Sequence, residues 1–164
     1  MPDPSQSREE IEAAFFIRLA REINKECGTR QKDDGSLQEY SGYSVNNDRL
    51  ESAVASVFQV VYGQSLYPSF YDRAAALLVN IAKGHPFADG NKRTGLHLAL
   101  TYLDAYGISL SPNNDEEVVK FVEDIVTSPA EKEQIIKKTS LQFKVWTAPN
   151  ITAPARRPGP AHDN

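Results

Sequence analysis

The chain has 164 residues, 40% of them hydrophobic, and a formal net charge of -4. That length can bury a core without staples, and one domain is the natural count. The negative balance excludes bulk electrostatic binding of nucleic acid or of an anionic membrane, while leaving room for a small local basic site. A single cysteine, Cys27, excludes an internal disulfide and fits a reducing compartment. It lies in a charged stretch with nothing obvious to activate it. The opening MPDPSQSREE is polar and acidic, unlike a secretory signal. No apolar run approaches the roughly 18 residues of a membrane span. A cytoplasmic protein is expected.

In chain order, Ser7 and Glu10 fit a capping box that opens an amphipathic helix ending near Gly28. Its expected inner stripe is Ile11, Phe15, Ile17 or Arg18, Leu19 and Ile23. Residues 29–47 read as a long polar loop with a short extended piece around Tyr40 to Val45. A second helix is expected after Asn47, with Leu50, Val54, Val57, Phe58 and Val61 inward and Gly63 as its stop. The aromatic GQSLYPSFY, residues 63–71, reads as a loop or small hairpin. Asp72 is a candidate N-cap for DRAAALLVNIAKG, which is apolar nearly all round and so central to a core. Gly84 is placed to follow its last turn. A further helix covers Asn91 to Tyr106, with Leu96, Ala99, Leu100 and Leu103 on one face, and Gly107 ends it. Residues 111–115 form a turn and cap before a helix carrying Val118, Val119, Val122 and Ile125. A short helix opens at Ser128-Pro129. Residues 147–164 are proline-rich and aperiodic, and are expected to be a disordered tail. The sum is an all-α domain of about six helices over residues 1–146.

The chemistry concentrates in AKGHPFADGNKRTGLHLAL, residues 82–100. The loop lies between two helices expected to be packed, which gives a site rigid geometry. Pro86 stiffens it, and Phe87 is the obvious apolar anchor. The mouth of the second helix offers free N–H groups and the positive end of a dipole, a site for anions and above all phosphate. Gly90 allows close backbone approach. Lys92 and Arg93 add positive charge, and Arg93 can grip a phosphate with two donors. Asp89 is a carboxylate placed to hold Mg²⁺ beside a polyphosphate. His85 could act as base on an attacking hydroxyl. Singly, each residue reads more simply as a turn or as solvated charge. Together, in this order at a helix mouth, they supply the parts that transfer of a phosphate-containing group requires. A Walker loop fits less well, because Gly84 to Gly90 is one residue too long and follows a helix. Zinc fits poorly, since His85 and His97 are twelve apart with no partner at helical spacing. His97 is expected to be structural and His162 idle.

HPFADGNKRT resembles the signature of the Fic/Doc superfamily, whose Fic branch carries H-P-F-x-[DE]-G-N-G-R-x-x-R and whose Doc ("death on curing") branch ends N-K-R-T. The likeness extends over about Val45 to Thr127, through RLESAVASVF, Tyr67-Pro68 and DEEVVKFVEDIV. The resemblance implies the small all-α Fic fold, with a β-hairpin flap somewhere in Val61 to Phe70 that docks the target. It implies ATP and Mg²⁺ as cofactors. It implies His85 as base and Asp89 as metal ligand. Asn91 and Arg93 would contact phosphate, and N–H groups from Gly90 to Thr94 would complete an anion hole around Lys92. The Doc branch implies transfer of the terminal phosphate to translation elongation factor Tu, and neutralisation by a small antitoxin. No membrane or direct nucleic-acid partner is implied. Lys92 stands where the Fic form has a second glycine, and Leu96 where it has a closing arginine. Both differences point to the Doc branch. Gly90 is the Fic-type residue and points the other way. Transfer of AMP to a protein hydroxyl therefore stays as the alternative, with a non-catalytic interaction module as a third reading.

Overall fold

The computed structural model describes residues 4–27, 33–36 and 43–147. Six helices follow in order: α1 (Arg8–Cys27), α2 (Asn47–Ala55), α3 (Phe70–Gly84), α4 (Asn91–Ala105), α5 (Asp115–Thr127) and α6 (Lys132–Thr147). A 3₁₀ turn (Ser56–Phe58) and a two-stranded antiparallel ribbon of β1 (Val60–Val61) and β2 (Gln64–Ser65) connect α2 to α3. The expected all-α Fic-type architecture with a small flap is what the chain forms. The tail expected over 147–164 lies outside the described residues, apart from Thr147, which ends α6. Among the described residues no helix is long and apolar enough to cross a membrane.

α3 is the central element, packed against α4, α6, α2 and α5. Every residue from Ala74 to Ala82 is buried, as its all-round apolar sequence requires. Asn80 is the polar member of that run, and its Nδ2 donates to the Ala53 carbonyl (3.0 Å) and to Ser56 Oγ (3.3 Å). It thereby ties the end of α2 to the core. α4 approaches α3 closely at Gly95, where an added Cβ would lie 3.0 Å from the Leu78 carbonyl oxygen. A glycine there fixes the height at which α4 begins.

Several boundaries and faces depart from the sequence reading. The capping box is present: Ser7 N–H donates to Glu10 Oε2 (2.8 Å), and Glu10 N–H to Ser7 Oγ (3.2 Å). The buried stripe of α1, however, is Ala13, Phe16, Ala20 and Ile23, while Ile11 and Phe15 stay exposed. The small alanines let α1 lie close to α4, so the stripe turns toward them. α2 ends at Ala55 rather than at Gly63. Val61 pairs with Gln64 across a turn in which Tyr62 and Gly63 both take positive φ (51° and 76°). Two such residues in a row make the tight turn of a hairpin. Ser69, not Asp72, caps α3, its Oγ accepting the Asp72 N–H (3.0 Å). In α4, Leu98 and Tyr102 are buried and Leu100 is not. α6 is longer than expected and starts at Lys132, with the Glu131 carbonyl accepting from Gln134 and Ile135.

Candidate active site

The loop between α3 and α4 is clamped from below. Asn46 N–H donates to the Pro86 carbonyl (2.7 Å) and Ala88 N–H to the Ser44 carbonyl (2.9 Å), so Val45 and Phe87 form an antiparallel bridge. Phe87 is buried, the anchor its sequence suggested. Val45 thus belongs to the expected extended piece, whose residues 40–42 lie outside the described ones. α3 runs through Gly84, and the left-handed residue that follows is His85 (φ 48°, ψ 55°). Gly84 had been the expected holder of that conformation. A side chain in this region costs about 1–2 kcal/mol, and such strain gathers at functional positions. Here it turns the imidazole off the helix line and leaves it exposed.

Asn91, the first residue of α4, is buried and braces the loop from inside. Its Oδ1 accepts the Phe87 N–H (3.0 Å) and its Nδ2 donates to the Phe87 carbonyl (2.8 Å). The same Nδ2 lies 3.5 Å from His85 Nδ1, too long to fix the tautomer. The Asn91 side chain is thus turned inward onto Phe87, away from the helix mouth.

Of the N–H groups from Gly90 to Thr94, the first and the last have partners within the chain. Gly90 N–H donates to Asp89 Oδ1 (2.7 Å), and Thr94 N–H to the Gly90 carbonyl (2.9 Å). Thr94 is fully buried and its Oγ1 accepts from Asn24 Nδ2 (3.2 Å). Both N–H groups are engaged, by the Asp89 carboxylate and by the first helical hydrogen bond respectively. The N–H groups of Asn91, Lys92 and Arg93 have no acceptor among the described residues. They are the open donors at the positive end of α4. Gly90 caps the helix at φ 77°, and a Cβ there would sit 3.0 Å from Asn24 Nδ2 and 3.4 Å from the Tyr43 ring.

Above this mouth lies a cleft of about 530 Å³, within the range of small-molecule sites. His85, Asp89, Arg93 and the α4 mouth line one side, with Leu96 above them. Val118, Val119, Val122 and Glu123 of α5 form the facing wall, and Tyr43 and Cys27 close one end. The sequence-derived imidazole, carboxylate and guanidinium thus share one pocket. Arg93 makes no hydrogen bond or ion pair among the described residues, so its fork is available to an anion. Lys92 is differently placed: its Nζ pairs with Glu123 Oε1 at 2.7 Å across the rim. Both partners are about half exposed, so the pair contributes little to stability. Cys27 is half-buried, and burial pushes its thiol up, against the opposing pull of a Thr94 hydrogen bond and the Arg93 charge. That agrees with an unreactive cysteine. His97 is exposed and away from the cleft lining.

The Asp89 carboxylate is of the kind that would hold a magnesium ion. It is exposed, one carboxylate oxygen is steadied by Gly90 N–H, and Oδ2 has no partner among the described residues. Mg²⁺ keeps several waters and takes one or two carboxylates with substrate phosphates. Among the described residues no group of three or more His, Cys, Asp or Glu forms a protein-only cage.

Asn24, Tyr43 and Glu123 were not foreseen from the sequence. Asn24 carried one legible signal, an amide directly after Ile23 on the face of α1 that turns inward. Tyr43 and Glu123 carried none, being polar-capable residues in a loop and on a charged helix.

A model of the Fic/DOC family matches residues 11–103. Toxin Doc of Mycolicibacterium smegmatis is 39% identical over 84 residues. That stretch covers 51% of this chain and 62% of the relative's length. No solved structure matches. With the site residues in place and the family model spanning more than half of its length, the chain belongs to the Fic/DOC family.

Proposed function

We propose that this protein is a Doc-like toxin of the cytoplasm that transfers a phosphoryl group from ATP to a hydroxyl side chain of a target protein. The target class is a translation elongation factor of the Tu type, and the consequence is a block of translation. A small antitoxin protein holds it in check. One observation carries the reading: His85, Asp89, Arg93 and three open N–H groups of the α4 mouth face a single cleft.

The roles follow from that geometry. The open N–H groups of Asn91, Lys92 and Arg93 cradle phosphate oxygens, and the Arg93 guanidinium adds a charge-assisted fork. Asp89 Oδ2 would hold Mg²⁺, which when bound neutralises charge on the phosphate oxygens. His85 removes the proton of the target hydroxyl through a ring nitrogen, and its left-handed backbone keeps that ring at the open side of the cleft. The hydroxyl oxygen bonds to the terminal phosphorus as the bond to the bridging oxygen breaks, and ADP leaves.

Two features favour phosphoryl over AMP transfer. Leu96 lines the cleft, so that position offers no cation for a terminal phosphate. Gly90, which pointed toward AMP transfer, is accounted for by its backbone angle and by its contacts with Asn24 and Tyr43. ATP labelled at the α or the γ position, incubated with purified translation factors, tests the proposal. Label from the γ position alone and a mass gain of one phosphoryl group support it. Label from the α position with the mass of AMP would establish the adenylyl alternative. No label from either, with no growth arrest on expression, would leave the non-catalytic module.

A further inference from the structure

We infer that Asn24, on α1, is a positioning residue for the catalytic loop; this rests on the function proposed above. Asn24 lies 61 positions before His85, outside the signature, yet its amide joins three segments of the site. Nδ2 donates to the Asp89 carbonyl (3.0 Å) and to Thr94 Oγ1 (3.2 Å), and Oδ1 accepts the Tyr43 N–H (3.3 Å). The side chain is almost fully buried, so each of these bonds replaces water that cannot reach it.

The consequence is geometric. Asp89 stands between its carbonyl, held by Asn24, and its carboxylate, held by the next N–H. Gly90 rests directly on the same amide, 3.0 Å from where a Cβ would be. Asn24 thus sets where the metal-binding carboxylate and the open N–H groups of α4 sit relative to His85, whose segment is held separately by the Asn91 bonds to Phe87 and the Pro86 strand contact. Asn24 touches no reacting atom. It acts through Asp89 and Gly90.

Asn24→Asp is nearly isosteric and keeps the acceptor for Tyr43. It replaces the donor by a carboxylate facing the Asp89 carbonyl. Asn24→Ala removes both functions. Two readouts apply to both variants: amide resonances of the full chain, and transfer kinetics against Mg²⁺ concentration. We expect resonances of residues 88–94 to move while those of α5 and α6 stay. We expect kcat to fall about 100-fold, the cost of roughly 1 Å of misplacement, with more Mg²⁺ needed for half-maximal rate and KM for ATP little changed. Unmoved loop resonances, or an unaltered Mg²⁺ requirement in an active variant, would overturn the inference. Unfolding of both variants would also overturn it, since Asn24 would then hold helices together rather than the loop. Absence of transfer by the native chain would instead refute the proposed function, and the resonances would still decide the role of Asn24.

Discussion

Asn91 and Phe87 are joined by two opposed hydrogen bonds, the amide oxygen on the Phe87 N–H and the amide nitrogen on its carbonyl. A side chain at the start of α4 thus copies a strand partner for the loop. Replacing it leaves two buried backbone groups unpaired, at about 1–3 kcal/mol each. Asn91→Leu should lower stability by about 2–4 kcal/mol in a denaturant titration. A loss below half a kcal/mol would show that the brace is not needed.

His85 combines the proposed base with a strained backbone. His85→Ala should reduce transfer by roughly 10²–10⁴-fold and leave nucleotide affinity nearly intact. His85→Gly should be equally inactive but more stable than His85→Ala by about 1 kcal/mol, since glycine takes positive φ without penalty. Paired melting curves and single-turnover rates check both statements.

Arg93 presents an unpaired guanidinium to the cleft. Arg93→Ala should weaken nucleotide binding by about 1.5–3 kcal/mol, the worth of hydrogen bonds to a charged group, with little change in melting temperature. Calorimetric titration reads the first and a thermal scan the second. Lys92→Ala should weaken binding less, because its charge is already turned to Glu123.

Gly90 is constrained twice, by φ 77° and by the 3.0 Å approach to Asn24. Gly90→Ala should cost at least the roughly 1–2 kcal/mol of a left-handed side chain, and it should disturb binding through the loop. A variant with native stability and native affinity would show that the loop has another conformation open to it.

Tyr102 gives a stability prediction at high pH. Burial, offset in part by Arg73, raises its phenol from the ordinary 10.0 to about 12. Tyr67 is shifted upward too, by burial and by the Glu133 carboxylate that accepts its hydroxyl proton at 2.9 Å. The folded chain keeps protons that the unfolded chain has released, so stability is full below pH 10 and falls as pH rises from about 10 to about 12. Denaturant midpoints across that window should decline in the native chain and decline less steeply in Tyr102→Phe.

Much of this was legible in the chain. The run Ala74 to Ala82 announces a buried helix, and the order His85, Asp89, Gly90, Arg93 announces a cluster of polar groups at one helix mouth, because both are local patterns. What escaped is non-local. The inward face of α1 depends on the small side chains that meet α4, which the spacing of Ile11 and Phe15 does not reveal. Ser69 rather than Asp72 caps α3 because the chain enters from the ribbon three residues earlier. Which N–H groups stay open follows from the partners of Gly90 and Thr94, and Glu123 reaches Lys92 only once α5 has packed on α3.

The most direct measurement is a titration of Mg²⁺ and ATP into the isotope-labelled full chain, followed by amide resonances. The account predicts saturable shifts that are largest at Asn91, Lys92 and Arg93 and are strongly reduced in Arg93→Ala. Shifts centred instead on the groove that Phe121 and Ile125 of α5 form with Ile135, Thr139 and Trp146 of α6, or none at the mouth of α4 with saturating nucleotide, would contradict it.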